Sequence, residues 1–361
     1  MRMEIFRWWK YMRQTHGTPR HYGKPANNCH AAKENATRVR QTRNARRAHF
    51  GSLSYTGYQL GSDERHEIQR NRLFQEQRLA VLEKRRLHAS KMSDAGQAAR
   101  RSSQRSWQQP ATVLITGATG GIGSALARSY AQPGRLLILH GRDSARLATL
   151  TRDCEARGAQ VVSTSFDLRD GAVAAAALRQ LSGAHTIDLA IINAGVSSMI
   201  GGGEEVENWE TARAVLAVNL DGAIATIAGV LPAMRRRGAG QIAIMSSLAA
   251  YYGLPVTPIY CASKAAMKAY GEALRGWLAP QGVAVNVVMP GFVHTPMSER
   301  FRGAKPGLMS PERAATLIRR GLERNRARIA FPRTLAWGMW WLSVLPPALS
   351  QRILSALGYG A

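Results

Sequence analysis

From residue 111 onward, short apolar runs alternate with longer segments in which apolar residues recur at helical spacing. The runs are rich in Val, Ile and Leu and almost continuously apolar, as expected of parallel strands buried on both faces. Predicted strands cover residues 112–116, 135–140, 160–166, 187–193, 241–245 and 283–289, and predicted helices cover residues 124–131, 144–157, 170–181, 205–217, 258–279 and 311–324. This alternation predicts an α/β protein: a doubly wound parallel sheet (Rossmann fold) in a single catalytic domain over residues 111–328.

Residues 1–110 differ from this pattern. They show no sustained period and hold 23 Lys and Arg against 8 Asp and Glu, so we predict a basic, mostly disordered extension with a possible helix over residues 62–91. The Arg cluster at 38–47 suits a nucleic acid or an anionic surface, but a solvated leader is the favoured interpretation and nucleic acid an unlikely partner. An Arg-rich transit peptide is a third possibility. Met92 also begins a natural short lead into the first strand, so residues 1–91 are equally well an appended leader without a role in the chemistry.

The composition argues against several classes of protein. The chain has 361 residues, a formal charge of +26 and three distant cysteines, which argues against a disulfide framework and a structural zinc site. We expect no metal. The sequence contains no run of 18 apolar residues, so no membrane-spanning helix is predicted. The N-terminus lacks the uncharged core of a secretory signal. These features favour a cytoplasmic protein.

The first predicted strand leads into a glycine turn, GATGGIG, over residues 117–123, and a helical pattern follows. Strand, glycine turn and helix form the geometry that binds a pyrophosphate, because the backbone can approach closely and the helix start offers free N–H groups. At the end of the second strand, His140 and Gly141 occupy the place where an acid would hold the ribose of NAD. Arg142 follows and suits a 2′-phosphate, although an ordinary loop arginine is the alternative.

A candidate acid/base pair lies further along the chain. Tyr260 and Lys264 are four residues apart in a predicted helix and therefore share one face. A neighbouring ammonium lowers the pKa of a phenol, which would suit a general acid/base near neutral pH. A surface tyrosine beside a solvated lysine is the simpler explanation of the pair alone. Ser247 follows the preceding predicted strand and lies thirteen residues before Tyr260.

In this order and spacing, the motifs of residues 111–328 resemble the short-chain dehydrogenase/reductase family in its common one-domain, NAD(P)-dependent form. The family's T-G-x-x-x-G-I-G is matched at 116–123, its N-A-G at 193–195, its helix asparagine at Asn219, its serine at Ser247, its Y-x-x-x-K at Tyr260 and Lys264, and its P-G at 290–291. The threonine that usually follows is Thr295. Ser246 fits the interval to the tyrosine less well, and Cys261 is interpreted as a packing residue.

The resemblance implies hydride transfer between a nicotinamide and a carbonyl or secondary alcohol. Tyr260 would be the acid/base, Ser247 would hold the substrate oxygen, Lys264 would bind the ribose and lower the pKa of Tyr260, and Asn219 would kink its helix and hold a water. The implied cofactor residues are Gly117, Thr119, Gly121, Ile122, Gly123, Arg142, Asp167, Leu168, Asn193, Ala194, Gly195, Val293 and Thr295, together with Tyr260 and Lys264. NADP(H) is favoured over NAD(H), and a homo-oligomer is expected.

The segment 329–361 is a hydrophobic, Trp-rich tail, uncharged from residue 334 to 351 and preceded by several arginines. It is too short to span a bilayer, and two interpretations stay open: a peripheral membrane contact through residues 334–357, or a cover over the protein's own substrate pocket. Both favour a lipophilic substrate. The alternative function is a non-catalytic dinucleotide sensor or scaffold with a basic interaction leader.

Overall fold

The computed structural model describes residues 109–200, 207–301 and 303–359. All of these belong to one compact unit within residues 86–361. The predicted leader and its helix lie outside the described residues except for positions 109 and 110. The glycine run 201–203 and the predicted start of a helix at Glu205 also lie outside them.

Seven parallel strands form one sheet in the order β3-β2-β1-β4-β5-β6-β7. The strands are β1 (Thr112–Ile115), β2 (Leu136–His140), β3 (Gln160–Thr164), β4 (Leu189–Ile192), β5 (Gly240–Met245), β6 (Val283–Pro290) and β7 (Arg328–Phe331). The strand order reverses between β1 and β4, where the carboxyl ends of an open sheet leave a crevice for a ligand. The predicted doubly wound sheet is therefore confirmed.

Helices cover both faces of this sheet. They are α1 (Gly121–Tyr130), α2 (Ser144–Glu155), α3 (Gly171–Ala184), α4 (Trp209–Leu216), α5 (Gly222–Arg237), α6 (Pro258–Leu278), α7 (Pro296–Glu299), α8 (Pro311–Glu323), α9 (Arg333–Val344) and α10 (Pro347–Ala356). One buried cluster joins α1, α2 and α8 to the sheet, and a second joins α3, α5 and α6 to the opposite face. The near-continuous apolar character of the strands follows from these two cores.

The sheet continues past residue 328, where the sequence pattern placed the end of the catalytic domain. Strand β7 pairs with β6, and its Ile329 and Phe331 are buried. Helices α9 and α10 follow and form a third buried cluster with residues such as Leu248 and Met289 at the carboxyl end of the sheet. The Ser350 hydroxyl donates to the Leu342 carbonyl over 2.8 Å and ties the two helices together.

One described helical stretch, Trp209–Arg237, is apolar and long enough to cross a membrane. It comprises α4, a π-helical turn over Ala217–Asp221, and α5. It contains no unbroken apolar run of 18 residues, because Asn219 and Asp221 interrupt it. Since 56% of its most apolar window is buried, and α5 contributes to the second core cluster, we interpret it as a core helix.

Two glycines of α6 give a matched test of how closely this helix packs on the sheet. A Cβ at Gly271 would lie 2.7 Å from Val287 Cγ2 and 3.1 Å from Ile244 Cδ1, whereas one at Gly276 would meet nothing within 4 Å. We expect Gly271→Ala to lower the free energy of unfolding by about 1–3 kcal/mol through overpacking. Gly276→Ala should raise it by up to about 1 kcal/mol through helix propensity. Urea unfolding measures both, and equal effects would contradict the close contact.

Candidate active site

One cavity of about 1260 Å³ lies at the carboxyl ends of the strands. Every cofactor residue and three of the four catalytic residues predicted from the sequence line it. These are Gly117, Thr119, Gly121, Ile122, Gly123, Arg142, Asp167, Leu168, Asn193, Ala194, Gly195, Ser247, Tyr260, Lys264, Val293 and Thr295. The cavity exceeds the roughly 300–1,000 Å³ common for one small ligand, which leaves room for a dinucleotide and a second molecule.

The glycine turn between β1 and α1 packs tightly against the end of β4. Gly117 adopts a φ of +63°, and a Cβ there would lie 2.7 Å from the Ala194 Cα. A Cβ at Gly123 would lie 2.3 Å from the Gly117 carbonyl oxygen, so only glycine fits both positions. The Asn193 side-chain amide donates to the carbonyls of Thr116 and Gly117, each over 3.0 Å, and fixes the turn beside β4.

The start of α1 has the properties of an anion site. Its N-cap is Gly120, whose lack of a side chain leaves the first N–H groups of the helix uncapped toward the cavity. Thr295 Cγ2 would lie 2.5 Å from a Cβ at Gly121, so the threonine methyl packs on the turn. These residues fit a pyrophosphate: a backbone cradle, free donors and a close approach with no side chain in the way.

The end of β2 leaves no room for an acidic side chain. A Cβ at Gly141 would lie 2.7 Å from Thr119 Cγ2, so the carboxylate typical of an NAD site cannot be placed there without displacing Thr119. His140 is buried, and its Nε2 lies 2.9 Å from the Phe166 carbonyl oxygen. Arg142 is exposed on the cavity wall, so its guanidinium can reach a ligand.

Asp167 and Leu168 follow β3 as expected, and the structure adds Arg169 to them. The Arg169 guanidinium donates to the Asp167 carboxylate over 2.6 and 2.8 Å, and its backbone N–H donates over 2.9 Å. These hydrogen bonds lower the pKa of Asp167 to about 2. Leu168 is buried against Ala174 and Ala225, so this corner presents one oriented carboxylate and one fixed apolar surface.

Tyr260 and Lys264 lie side by side on α6 and face the cavity. The Lys264 Nζ is 5.7 Å from the centre of the Tyr260 ring and donates to the Met245 carbonyl over 3.0 Å. Lys264 is buried, and burial lowers its pKa to about 8.

The predicted low pKa of Tyr260 is wrong for this structure. Burial raises the pKa of Tyr260 to about 12, and the hydrogen bond with the Ser247 side chain offsets only part of that rise. Desolvation of the phenolate therefore outweighs any help from the nearby ammonium. At neutral pH Tyr260 holds its proton and is ready to act as an acid.

The structure separates the two adjacent serines. The Ser246 hydroxyl is buried and donates to the Lys264 carbonyl over 2.7 Å, which ties the end of β5 to α6. Ser247 lines the cavity together with Tyr260, and its side chain partly offsets the rise in the pKa of Tyr260. The interval of thirteen residues thus selected the serine that faces Tyr260. Cys261 is buried and accepts a hydrogen bond from the Leu254 N–H over 3.3 Å, in keeping with a packing role.

Asn219 lies behind the cavity wall in the π-helical turn between α4 and α5. Its Oδ1 accepts from the Val196 N–H over 2.8 Å, and its Nδ2 donates to the Val196 carbonyl over 2.9 Å and to Ser263 Oγ over 3.0 Å. A Cβ at Gly195 would lie 3.2 Å from both Asn219 Oδ1 and Lys264 Nζ, so the amide and the ammonium face each other across that glycine.

Sequence reasoning missed the residues that hold the start of α6. Glu207 accepts from Ser198 Oγ over 3.1 Å and from the Ile259 N–H over 3.4 Å. Thr257, directly before the helix, donates to the Ser198 carbonyl over 2.6 Å. No local pattern reveals this set, because its members come together only when the loop after β4 meets α6.

The tail and the segment after β6 form one wall of the cavity. Val293 pairs with Met309, and Thr295 and Ser298 form a capping box at the start of α7. Tyr359 packs on Phe301, with ring centres 6.1 Å apart, and its hydroxyl donates to the Ala304 carbonyl. Apolar residues of α9, α10 and the position directly after each helix line the cavity: Leu335, Met339, Leu342, Leu345, Ile353, Leu354 and Leu357. The tail therefore forms part of the pocket wall.

Comparisons with known proteins agree with this architecture. The short chain dehydrogenase family profile matches residues 111–305. A protein named "uncharacterized oxidoreductase" from Myxococcus xanthus (strain DK1622) is 34% identical over 241 residues, which are 66% of this chain and 94% of that protein. The dehydrogenase/reductase SDR family member 7B of Bos taurus is 31% identical over 273 residues, 70% and 82% of the two chains. A short-chain dehydrogenase from Sphingobium yanoikuyae, solved with NADPH, matches with a TM-score of 0.57 and 27% identity, over 68% and 95% of the chains.

The doubly wound sheet, the crevice at its carboxyl edge and these relatives define an NAD(P)-dependent oxidoreductase. The chain belongs to the short-chain dehydrogenase/reductase family. The resemblance inferred from the sequence motifs is thereby confirmed. The individual residue roles, the preference for NADP(H) and the homo-oligomer stay predictions.

The buried ammonium of Lys264 gives a prediction about pH. The unfolded lysine keeps its proton up to about pH 10.5, while the folded one loses it near pH 8, so the unfolded state binds more protons in between. Stability should therefore rise with pH across this window relative to Lys264→Met, by roughly 3 kcal/mol in all. Denaturant unfolding of both proteins between pH 7 and about pH 10 measures it. If the free energies of unfolding of the two proteins changed in parallel with pH, the lowered pKa of the buried Lys264 would be contradicted.

Proposed function

We propose that this protein transfers a hydride between NADP(H) and the carbonyl or secondary alcohol group of a lipophilic substrate, with Tyr260 as the general acid/base. The observation that carries the proposal is the meeting of Tyr260, Lys264 and Ser247 at the carboxyl end of β5, beside the glycine cradle of β1 and α1. Family membership supplies the reaction class. A dinucleotide sensor without activity would have no use for a buried, costly ammonium next to a phenol.

The arrangement suits carbonyl reduction. When bound, the dinucleotide supplies the hydride. Tyr260, protonated at neutral pH, gives its proton to the carbonyl oxygen, and Ser247 holds that oxygen and stabilises its developing charge. Lys264, anchored on the Met245 carbonyl, stabilises the phenolate that remains. Asn219 keeps the loop at Val196 in place beside Lys264. In the oxidation direction the same groups act in reverse.

Two features of the β2 end support NADP(H) over NAD(H). Arg142 stands on the cavity wall with an exposed guanidinium, which suits a phosphate. Gly141, held against Thr119, stands at the strand end where an NAD site carries its acid, so that position offers no carboxylate to a ribose 2′-hydroxyl. The relative solved with NADPH shows that this fold accepts that cofactor.

The substrate side of the cavity supports a lipophilic carbonyl compound. Its wall from α9 and α10 is aliphatic and aromatic, and the facing segment adds Phe301, Pro306 and Met297. None of these lining residues carries a charge. Apolar walls of this kind bind ligands chiefly through buried area. The same tail would make the peripheral membrane contact predicted for residues 334–357.

Tyr260→Phe tests the proposed chemistry. It removes the proton donor and leaves the ring, so we expect kcat/KM for NADPH-dependent ketone reduction to fall by about 10²–10⁴-fold. The assay is NADPH oxidation over a series of ketones of increasing alkyl length, along which wild-type activity should rise. Tyr270→Phe on the same helix is the matched control, because Tyr270 does not line the cavity. Unchanged activity of Tyr260→Phe would refute the assignment.

Arg142→Ala tests the cofactor preference. Loss of a charge-assisted contact to the 2′-phosphate should raise the KM for NADPH by about 10–100-fold and change that for NADH little. Arg152→Ala in α2 is the control, because Arg152 is exposed and not on the cavity wall. An equal loss with both dinucleotides would refute the 2′-phosphate role.

A further inference from the structure

The outer face of the tail helices presents an apolar, aromatic surface. Trp337, Trp340, Trp341 and Val344 of α9 are 59%, 40%, 52% and 52% exposed. The Trp340 indole contacts those of Trp337 and Trp341 edge-on, with ring centres 5.9 and 5.3 Å apart. We call Trp337, Trp340, Trp341 and Val344, with Leu349 and Leu357 of the following segment, the tryptophan face. An exposed group of this size marks an interaction site.

The tryptophan face meets the mouth of the active-site cavity. Trp341 and Leu357 belong to the face, yet both line the cavity while 52% and 57% exposed. Met297 of α7 also lines the cavity and is 40% exposed. A side chain that touches both the cavity and solvent lies at an opening. The cavity therefore opens at the edge of the tryptophan face.

The charge around this face selects its partner. Within the described residues 324–359 there is no Asp or Glu, and the exposed charges on α9 and α10 are Arg333 and Arg352. Indoles with basic neighbours suit the headgroup region of an anionic bilayer. A second copy of the chain would place the same basic face against itself, which like charges disfavour. Helices α9 and α10, with 12 and 10 residues, are too short to span a bilayer. A contact with a bilayer would therefore place them on its surface.

We propose that the tryptophan face docks on an anionic lipid bilayer and that substrate enters the cavity directly from that bilayer. The docking stands on the surface alone. The route of the substrate rests also on the proposed reductase function. A ketone dissolved in the membrane would pass from lipid between Trp341, Leu357 and Met297 to the apolar wall without crossing water.

The test of docking is flotation of the full chain with vesicles of phosphatidylcholine and phosphatidylserine. The Trp337→Gln, Trp340→Gln double variant changes two exposed indoles that do not line the cavity. We expect its vesicle affinity to fall by at least about tenfold. The matched control changes Trp209 and Trp277, exposed on other helices, and should bind like the wild type. The basic leader is the same in all three proteins and cannot produce the difference.

Equal binding of the two double variants would overturn the docking proposal. So would a concentration-dependent dimer, seen by light scattering, that is lost in Trp337→Gln, Trp340→Gln, because a second copy would then cover the face. Both results are read without turnover and are independent of the proposed reaction.

The route is tested by kcat/KM for a long-chain methyl ketone carried in the vesicles and for a short, water-soluble ketone. The face variant should lose about tenfold or more on the vesicle-borne ketone and stay within about twofold of wild type on the short one. Equal effects on both ketones would overturn the route from the bilayer. If the wild-type protein reduced neither ketone with NADPH, the proposed function would fail while the docking result stood.

Discussion

The position of helix α6 against strands β5 and β6 is the constraint on which the site depends. The Ser246 hydroxyl holds the Lys264 carbonyl, the Lys264 ammonium holds the Met245 carbonyl, and Gly271 allows the helix to touch Ile244 and Val287. These contacts fix the helix along and against the strand. Ser247, the next residue of the chain, then meets Tyr260. A shift of one residue would carry Tyr260 to another face of the helix.

This arrangement stores an electrostatic cost at the site. Burial pushes the pKa of Lys264 down to about 8 and that of Tyr260 up to about 12, because the charged form of each group is less stable at the site than in water. The surroundings offset only part of that cost, through the Met245 carbonyl and the Ser247 side chain. Groups that are held in this way respond strongly to a charge that arrives beside them, as a developing oxyanion does during carbonyl reduction.

The sequence predicted most of the fold and of the cavity wall. The glycine turn, the Asn-Ala-Gly motif and the serine each follow a strand, and the carboxyl ends of parallel strands all lie at one edge of the sheet. It did not predict β7, since four residues after an Arg-rich helix carry too little pattern. Arg169 and Glu207 were missed because their roles depend on contacts that no local spacing reveals. The pKa predicted for Tyr260 was too low, because the sequence spacing indicates the nearby ammonium but not the burial, which outweighs it.

The tail is uniformly uncharged from residue 334 to 351, but the helical period divides its apolar residues into a cavity-lining set and an exposed set. Leu335, Met339 and Leu342 recur at intervals of four and three and line the cavity, whereas Trp337, Trp340 and Val344 occupy other positions of the helix and are exposed. Trp341 stands on the border and belongs to both sets. The two interpretations of the tail, pocket cover and membrane contact, are therefore compatible, since each uses a different side of one short helix. One side of α9 lines the pocket, and its exposed apolar side is therefore well placed to receive apolar molecules at the pocket mouth.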